Sequence, residues 1–412
     1  MKIVVLSDLH TGTASIAQDF TLGDSTNGVK LGYLDDFKAV VEKENIKADY
    51  LIVPGDITHR AEHLEFELAA SNIQKCAEIL NVPAENIFFV PGNHDSHWDS
   101  EKDSTEKGES ENLVIASKYR YIANNPFFKS IKARAITGSF YEEPFFTFWS
   151  DDKTNIIGVN SAVFDTYDKK PHHGSVRQVD LNKLEAAILK YKINTSEKVN
   201  ILVLHHHPIT HPDLPFESAD LSMVQNASQI MELSTKYNFD FVIHGHKHIP
   251  RLQLFMDAYQ HPVNVFCAGS FSARIDDRFF QGVPHTFHVI EVDEFCPTYN
   301  TPQGVVKSWF HYTGHGWITH ESPNGIPHTE FFGNRMDKLK LTSELEVIIK
   351  DKLSITNAVR WSEIIKINED IRYSPRKLLD QIISDLASKL DFVVYDTPSI
   401  PDEQFILMKG AK

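Results

Sequence analysis

Five short segments of this 412-residue chain bring carboxylate, carboxamide and imidazole side chains together in spacings that suit metal coordination. They are Asp8-Leu9-His10, Gly55-Asp56, Gly92-Asn93-His94-Asp95, His205-His206-His207-Pro208 and His244-Gly245-His246-Lys247-His248. Each directly follows a run with strand character, at residues 2–6, 50–53, 87–90, 200–204 and 241–243. An open α/β sheet presents its binding groups at the carboxyl ends of its strands, so the five segments would converge. Taken singly, each has an ordinary explanation: D-x-H can be a turn, G-D a strand terminator, and a histidine triplet before proline a surface turn. All five at strand ends in one chain make coincidence the weaker account. Oxygen and imidazole donors without thiolate suit Mn, Fe, Zn or Mg ions. The neighbouring glycines allow turns tight enough to bring side chains close to an ion.

The elements that must carry these groups alternate through the first two thirds of the chain. Further strands are expected at residues 145–149, 156–160, 263–267 and 286–292, and helices at 34–44, 64–80, 181–191 and 224–237. That alternation predicts an α/β layered core. The polar, acidic stretch 99–112 and the proline-rich stretch 208–215 read as exposed loops.

After about residue 333 the pattern changes. Leu341, Leu345, Ile348 and Ile349 mark one amphipathic helix. Ser374 and Pro375 then read as the N-cap and first residue of a second, lined by Leu379, Ile382, Ile383, Leu386 and Leu390. Two apolar strands follow, at 392–395 and 405–408. The chain therefore divides into residues 1–333, which hold the chemistry, and an α+β appendage, 334–412, suited to packing, oligomerisation or partner binding. A helix followed by a hairpin fits a winged-helix reader, but Arg376, Lys377 and Lys389 are mixed with Asp380 and Asp385.

The net charge of −15 lies wholly in the first part, because the residues from Asn334 onward hold 13 basic and 13 acidic side chains against 28 and 43 before them. An acidic body repels a phosphate backbone, so nucleic acid is not the favoured partner. It also needs local positive charge to accept an anionic substrate, which bound cations would supply. No apolar run is long enough to span a membrane, and no targeting segment is expected ahead of residues 2–6. Cys76, Cys267 and Cys296, odd in number and widely spaced, fit a reducing cytoplasm better than a disulfide framework or a thiolate metal site.

The pattern D-x-H, G-D, G-N-H-D, H and G-H-x-H resembles the calcineurin-like metallophosphoesterase superfamily across roughly residues 1–320, nearest to small bacterial cyclic-nucleotide-type phosphodiesterases. The resemblance implies a four-layer β-sandwich, two sheets flanked by helices. It implies two divalent ions (Mn, Fe or Zn), one on Asp8, His10, Asp56 and His248, the other on Asp56, Asn93, His206 and His246. Asp56 would bridge them with its two oxygens, and either His205 or His207 could replace His206 if the strand ended a residue earlier or later. His244 is expected to support a ligand rather than be one. Metal-bridged hydroxide would attack the phosphorus of a small phosphate ester, plausibly a nucleotide. His94 would protonate or stabilise the leaving group, Asp95 would orient, and His59 stands where some relatives keep a second active-site histidine. Two alternatives remain open: a nuclease of the same superfamily, and a catalytically silent regulatory module using the appendage.

Overall fold

The computed structural model describes residues 1–22, 32–169, 172–193, 197–211, 222–258, 261–274, 282–297, 300–319, 325–396 and 405–410. Its first sheet uses β1 (Lys2–Val5), β2 (Tyr50–Pro54) and β3 (Ile87–Val90). It continues through β11 (His285–Phe295), β12 (Pro302–Tyr312), β13 (Gly316–Ile318) and β14 (Thr329–Phe332). The order is β13-β12-β11-β1-β2-β3, with β14 also on β12; β1, β2 and β3 are parallel and β11 runs antiparallel to β1.

The second sheet comprises β4 (Thr137–Gly138), β5 (Phe146–Ser150), β6 (Thr154–Val159), β7 (Val199–Val203) and β8 (Phe241–His244), with β9 (Arg251–Phe255) and β10 (Val263–Cys267). Its order is β4-β5-β6-β7-β8-β10-β9, and β6, β7, β8 and β10 are parallel. Side chains alternate along these strands with the period of the pleat. Ile201, Val203, Phe241 and Ile243 enter the core shared with the first sheet. Leu202, Leu204 and Val242 face the opposite way, against α7 (Gln178–Lys190) and α8 (Ala227–Lys236). On the outer side of the first sheet, α1 (Tyr33–Lys43) and α2 (His63–Ile79) contribute Phe37, Val41, Phe66 and Ile73 to the core. The result is the expected four-layer sandwich.

The stretch 99–112 is largely exposed, as its polarity suggested, but most of it is helical rather than loop. It forms α3 (Trp98–Glu106) and the start of α4 (Glu111–Lys118), followed by α5 (Arg120–Asn124) and α6 (Pro126–Ala133). Its buried members are Ser100, Glu101 and Ser104. Glu101 accepts the backbone N–H of Tyr167 at 2.8 Å and lies 3.6 Å from Lys118 Nζ, which also donates to the carbonyls of Ala162, Val163 and Asp165.

The C-terminal elements are α9 (Lys338–Ile355), β15 (Ala358–Arg360), α10 (Trp361–Ile365), α11 (Arg376–Leu390), β16 (Phe392–Asp396) and β17 (Phe405–Lys409). They enclose a core of their own around Leu345, Trp361, Ile382 and Leu407, with a small sheet in the order β15-β17-β16. The short β15 and α10 escaped the periodicity. Helix α11 begins one residue later than expected, with Pro375 at its N-cap, because the Ser374 hydroxyl instead accepts from Asn334 Nδ2 at 2.6 Å. Among the described residues no helix is long and apolar enough to cross a membrane.

Lys118 and Glu101 are almost fully buried, so removing one charge strands the other. Lys118→Ala is expected to lower unfolding free energy by about 3–5 kcal/mol, measured from denaturant midpoints. A loss below roughly 1 kcal/mol, the range of an exposed ion pair, would contradict this account of the α3–α4 segment.

Candidate metal centre

Parallel registers set the carboxyl ends of β1, β2 and β3 side by side, and those of β7 and β8 likewise. Backbone pairing then continues past the strands. Asp8 N–H donates to Gly55 O (3.2 Å), His10 N–H to Asp56 O (2.9 Å), Thr11 N–H to Ile57 O (3.0 Å) and Gly245 N–H to His205 O (3.1 Å). The donor side chains therefore stand on backbone that the sheets still hold. Asp8, His10, Asp56, His246 and His248 all have φ between 47° and 72°. Left-handed backbone costs a non-glycine residue about 1–3 kcal/mol, and the surrounding ladder imposes it on five residues of the centre.

Asp56 lies where the segments meet. Its Oδ2 is 3.4 Å from His10 Nε2 and 3.2 Å from His205 Nε2, while Oδ1 accepts the His94 N–H at 2.9 Å. Both histidines thus approach the same oxygen. His205 Nε2 is also 3.3 Å from His246 Nδ1, and Asp8 Oδ1 is 3.9 Å from His248 Nε2. The donor atoms of Asp56, His205 and His246 lie within 4.8 Å of one another, as do those of Asp8, His10 and His248. Asn93 Oδ1 is buried with no hydrogen-bond partner among the described residues. Such an atom costs about 1–3 kcal/mol, which a cation beside it would offset, so the donor set fits divalent ions. Two glycines make room for the carboxylates: a Cβ on Gly92 would sit 2.2 Å from Asp56 Oδ1, and one on Gly245 2.6 Å from Asp8 Oδ2.

Within the triplet, His205 rather than His206 enters the group with Asp56 and His246. Pleat parity explains it: His205 continues the 201, 203 face toward the first sheet, and its Nδ1 lies 2.9 Å from Pro54 O. His206 shares parity with Leu202 and Leu204; its Nδ1 lies 2.9 Å from Ser161 Oγ, and its buried Nε2 has no hydrogen-bond partner among the described residues. The alternation in residues 200–204 was the available signal. Asp8, His10, Asp56, Asn93, His246 and His248 stand at strand ends, as the sequence suggested.

His94 is held by Nδ1 against His59 O at 2.9 Å, with its ring centroid 4.5 Å from that of His10. His59 stacks on His94 at 5.5 Å. Asp95 is fully buried and accepts from Gly92 N–H, Ile57 N–H, Thr58 N–H and the Thr58 hydroxyl. It clamps the loop after β2 to the loop after β3.

Electrostatics follow from burial and crowding. Burial works against a charged Asp56, but His205 and His94, with a hydrogen bond from His10, hold its carboxyl well below the usual range. Burial pushes Asp8 up to about 6, with Asp56 adding to the rise and His205 opposing it. Burial also disfavours a charged His205, yet Asp56 beside it holds the imidazolium up to about 9. Burial lowers His10, and lowers His246 and His206 further, while His248 and His59 fall to about 4. Those five rings are therefore neutral at neutral pH, the form that binds cations.

The sequence profile of calcineurin-like phosphoesterases matches residues 1–250, which contain all these donors. A curated relative, a probable cyclic nucleotide phosphodiesterase of Xenorhabdus bovienii, is 32% identical over 111 residues, 27% of this chain and 42% of that protein. The chain thus spans less than half the length of that relative. Among solved structures, a purple acid phosphatase from yellow lupin seeds is 12% identical, with a TM-score of 0.45, covering 77% of this chain and 52% of that one. The NAD nucleotidase of Haemophilus influenzae is 12% identical, with a TM-score of 0.36, covering 96% and 61%.

Divalent ions bind the deprotonated donors, so affinity is lost as pH falls and gained as it rises. With Asp8 at about 6 and His205 at about 9, binding to the metal-free chain is expected to strengthen across that window and to release protons. Calorimetry in buffers of different ionisation enthalpy measures both; affinity that is flat with pH would refute the donor assignment.

Proposed function

We propose that this chain, a member of the calcineurin-like phosphoesterase family, hydrolyses a small phosphodiester such as a cyclic or other nucleotide with divalent metal ions. The observation that carries this reading is the convergence of two donor groups on one oxygen of Asp56. Asp8, His10, Asp56 and His248 would hold one divalent ion, and Asp56, Asn93, His205 and His246 a second. When bound, a pair of Mn, Fe or Zn ions acidifies water and neutralises charge on phosphate oxygens. A diester is favoured over a monoester by the similarity to a relative described as a probable cyclic nucleotide phosphodiesterase.

The chain's own residues divide the remaining work. Glycine at 92 and at 245 keeps backbone close to Asp56 and Asp8, so the carboxylates cannot swing away. His94 is half-buried at the edge of the group, and with Nδ1 donating to the His59 carbonyl its Nε2, protonated in the imidazolium form, would give its proton to the departing oxygen. His59 and Asp95 position His94 and the Asp56 loop, respectively, and neither is required as a proton donor. Residues 334–412 would form a separate unit for packing or partner binding. On α11, Arg376 pairs with Asp380 and Lys389 with Glu346, both at 2.7 Å, leaving little unpaired positive charge there for nucleic acid. The three cysteines form no disulfide, which suits a cytoplasmic setting.

Metal-stripped protein given Mn²⁺ is expected to hydrolyse a nitrophenyl phosphodiester faster than the matching monoester, which a side-by-side assay decides. Faster monoester turnover would overturn the diester reading, and no turnover of either with both ions bound would overturn the hydrolase reading for such esters. Asp56→Asn should abolish turnover and weaken retention of both ions. His94→Ala should keep both ions by elemental analysis and lose roughly 10²- to 10⁴-fold in kcat; loss of an ion from His94→Ala would contradict its place outside the ligand set.

A further inference from the structure

Beside the centre, a second cluster of donors is assembled from three separate segments. His244 ends β8, Cys267 ends β10, and the two are register partners in the parallel ladder. His211 comes from the segment that follows the triplet. All three side chains are buried, His244 and Cys267 completely and His211 to within 6%. One ring nitrogen from each histidine and the Cys267 sulfur lie within 4.8 Å of one another. We propose that His211, His244 and Cys267 bind an additional divalent ion of thiophilic character, zinc foremost, in a site distinct from the Asp56 centre.

Three observations carry this. First, His211 Nε2 and His244 Nε2 are 3.3 Å apart. Two nitrogens each roughly 2.0–2.1 Å from a tetrahedral zinc ion stand about 3.3–3.4 Å from one another, so the imidazoles already have the separation of a coordinated pair. Second, His244 Nδ1 lies 3.0 Å from Gly245 O. A proton on Nδ1 donated to that carbonyl fixes the tautomer and leaves the Nε2 lone pair aimed at His211, the support that metal-bound histidines usually have. Third, Cys267 brings a fully buried sulfur, 3.8 Å from Gly245 O and Ala268 O, into the same group as the two imidazoles. Two imidazoles and a thiolate suit zinc, whereas the neighbouring Asp56 centre offers oxygen and imidazole only.

Loading would form a metal–sulfur bond and release the thiol proton to solvent, with no change of oxidation state. The ion would tie the segment 205–211 to the ends of β8 and β10. His207 separates the two sites, its ring centroid 5.6 Å from that of His211 and 6.0 Å from that of His246. The competing arrangement is a plain hydrogen bond between the two imidazoles with the thiol idle; it predicts no sulfur–metal bond.

Titrating the metal-stripped full chain with Co²⁺ separates the two. The additional site is expected to give a thiolate-to-cobalt charge-transfer band in the near ultraviolet, which the Asp56 centre cannot produce. Cys267→Ser and His211→Ala should each lose the band and bind one ion fewer per chain, whereas Asp56→Asn, which disables the neighbouring centre, should retain the band. Absence of the band from folded wild-type protein would overturn the proposal. So would its survival in His211→Ala, or in Cys267→Ser, where it would have to come from Cys76 or Cys296.

Discussion

A carboxylate withdrawn from water among imidazoles is the constraint on which the rest of this structure depends. Asp56 is 2% exposed, and burial alone would drive it to take up a proton. Its charge persists because His205, His94 and His10 crowd around it, and each comes from a different strand end. The two sheets must therefore be stacked in the register observed before the charge is tolerable. In the metal-free chain Asp56 holds the His205 imidazolium up to about 9, so a divalent cation taking His205 as a ligand would displace that proton.

Supporting features follow from that arrangement. The backbone ladder extends beyond β1, β2, β7 and β8, so the donors are not borne by free loops. Asp95 contributes no atom to either donor group, yet its carboxylate oxygens accept from both loops that carry Asp56 and Asn93. Ser161 plays a comparable part for His206. Groups that only accept or donate hydrogen bonds thus set the positions of groups that could coordinate.

Much of this was legible in the amino-acid order, and what escaped did so for physical reasons. Strands β1, β2, β3, β8 and β10 are apolar runs bounded by polar residues, proline or glycine, and their places were readable to within a residue. The short pieces β15 and α10 have too few residues to display a period. In the stretch 99–112 the exposure was readable from the polar residues but the helices were not, because an exposed helix carries too few apolar residues to display a period. Within the triplet, that His205 stands beside Asp56 while His206 stands beside Ser161 depends on which face the preceding strand turns to the core. Composition does not reveal that, but the alternation of Ile201, Leu202, Val203 and Leu204 does once the sheet partners are known. The proximity of Cys267 to His211 and His244 is a long-range consequence of β8 pairing with β10, beyond any local spacing.

The left-handed backbone at Asp8, His10, Asp56, His246 and His248 bears on how the centre can be probed. Asparagine, aspartate and histidine are the residues best suited to that conformation after glycine, whereas β-branched residues are severely penalised there. An exchange to valine or threonine at these positions would disturb the main chain as well as remove a donor, and its phenotype would mix the two. Exchanges among asparagine, aspartate and histidine leave the backbone cost nearly unchanged, so their effect reports mainly the chemistry. The same restriction narrows what drift could substitute at these sites, independently of any selection for catalysis.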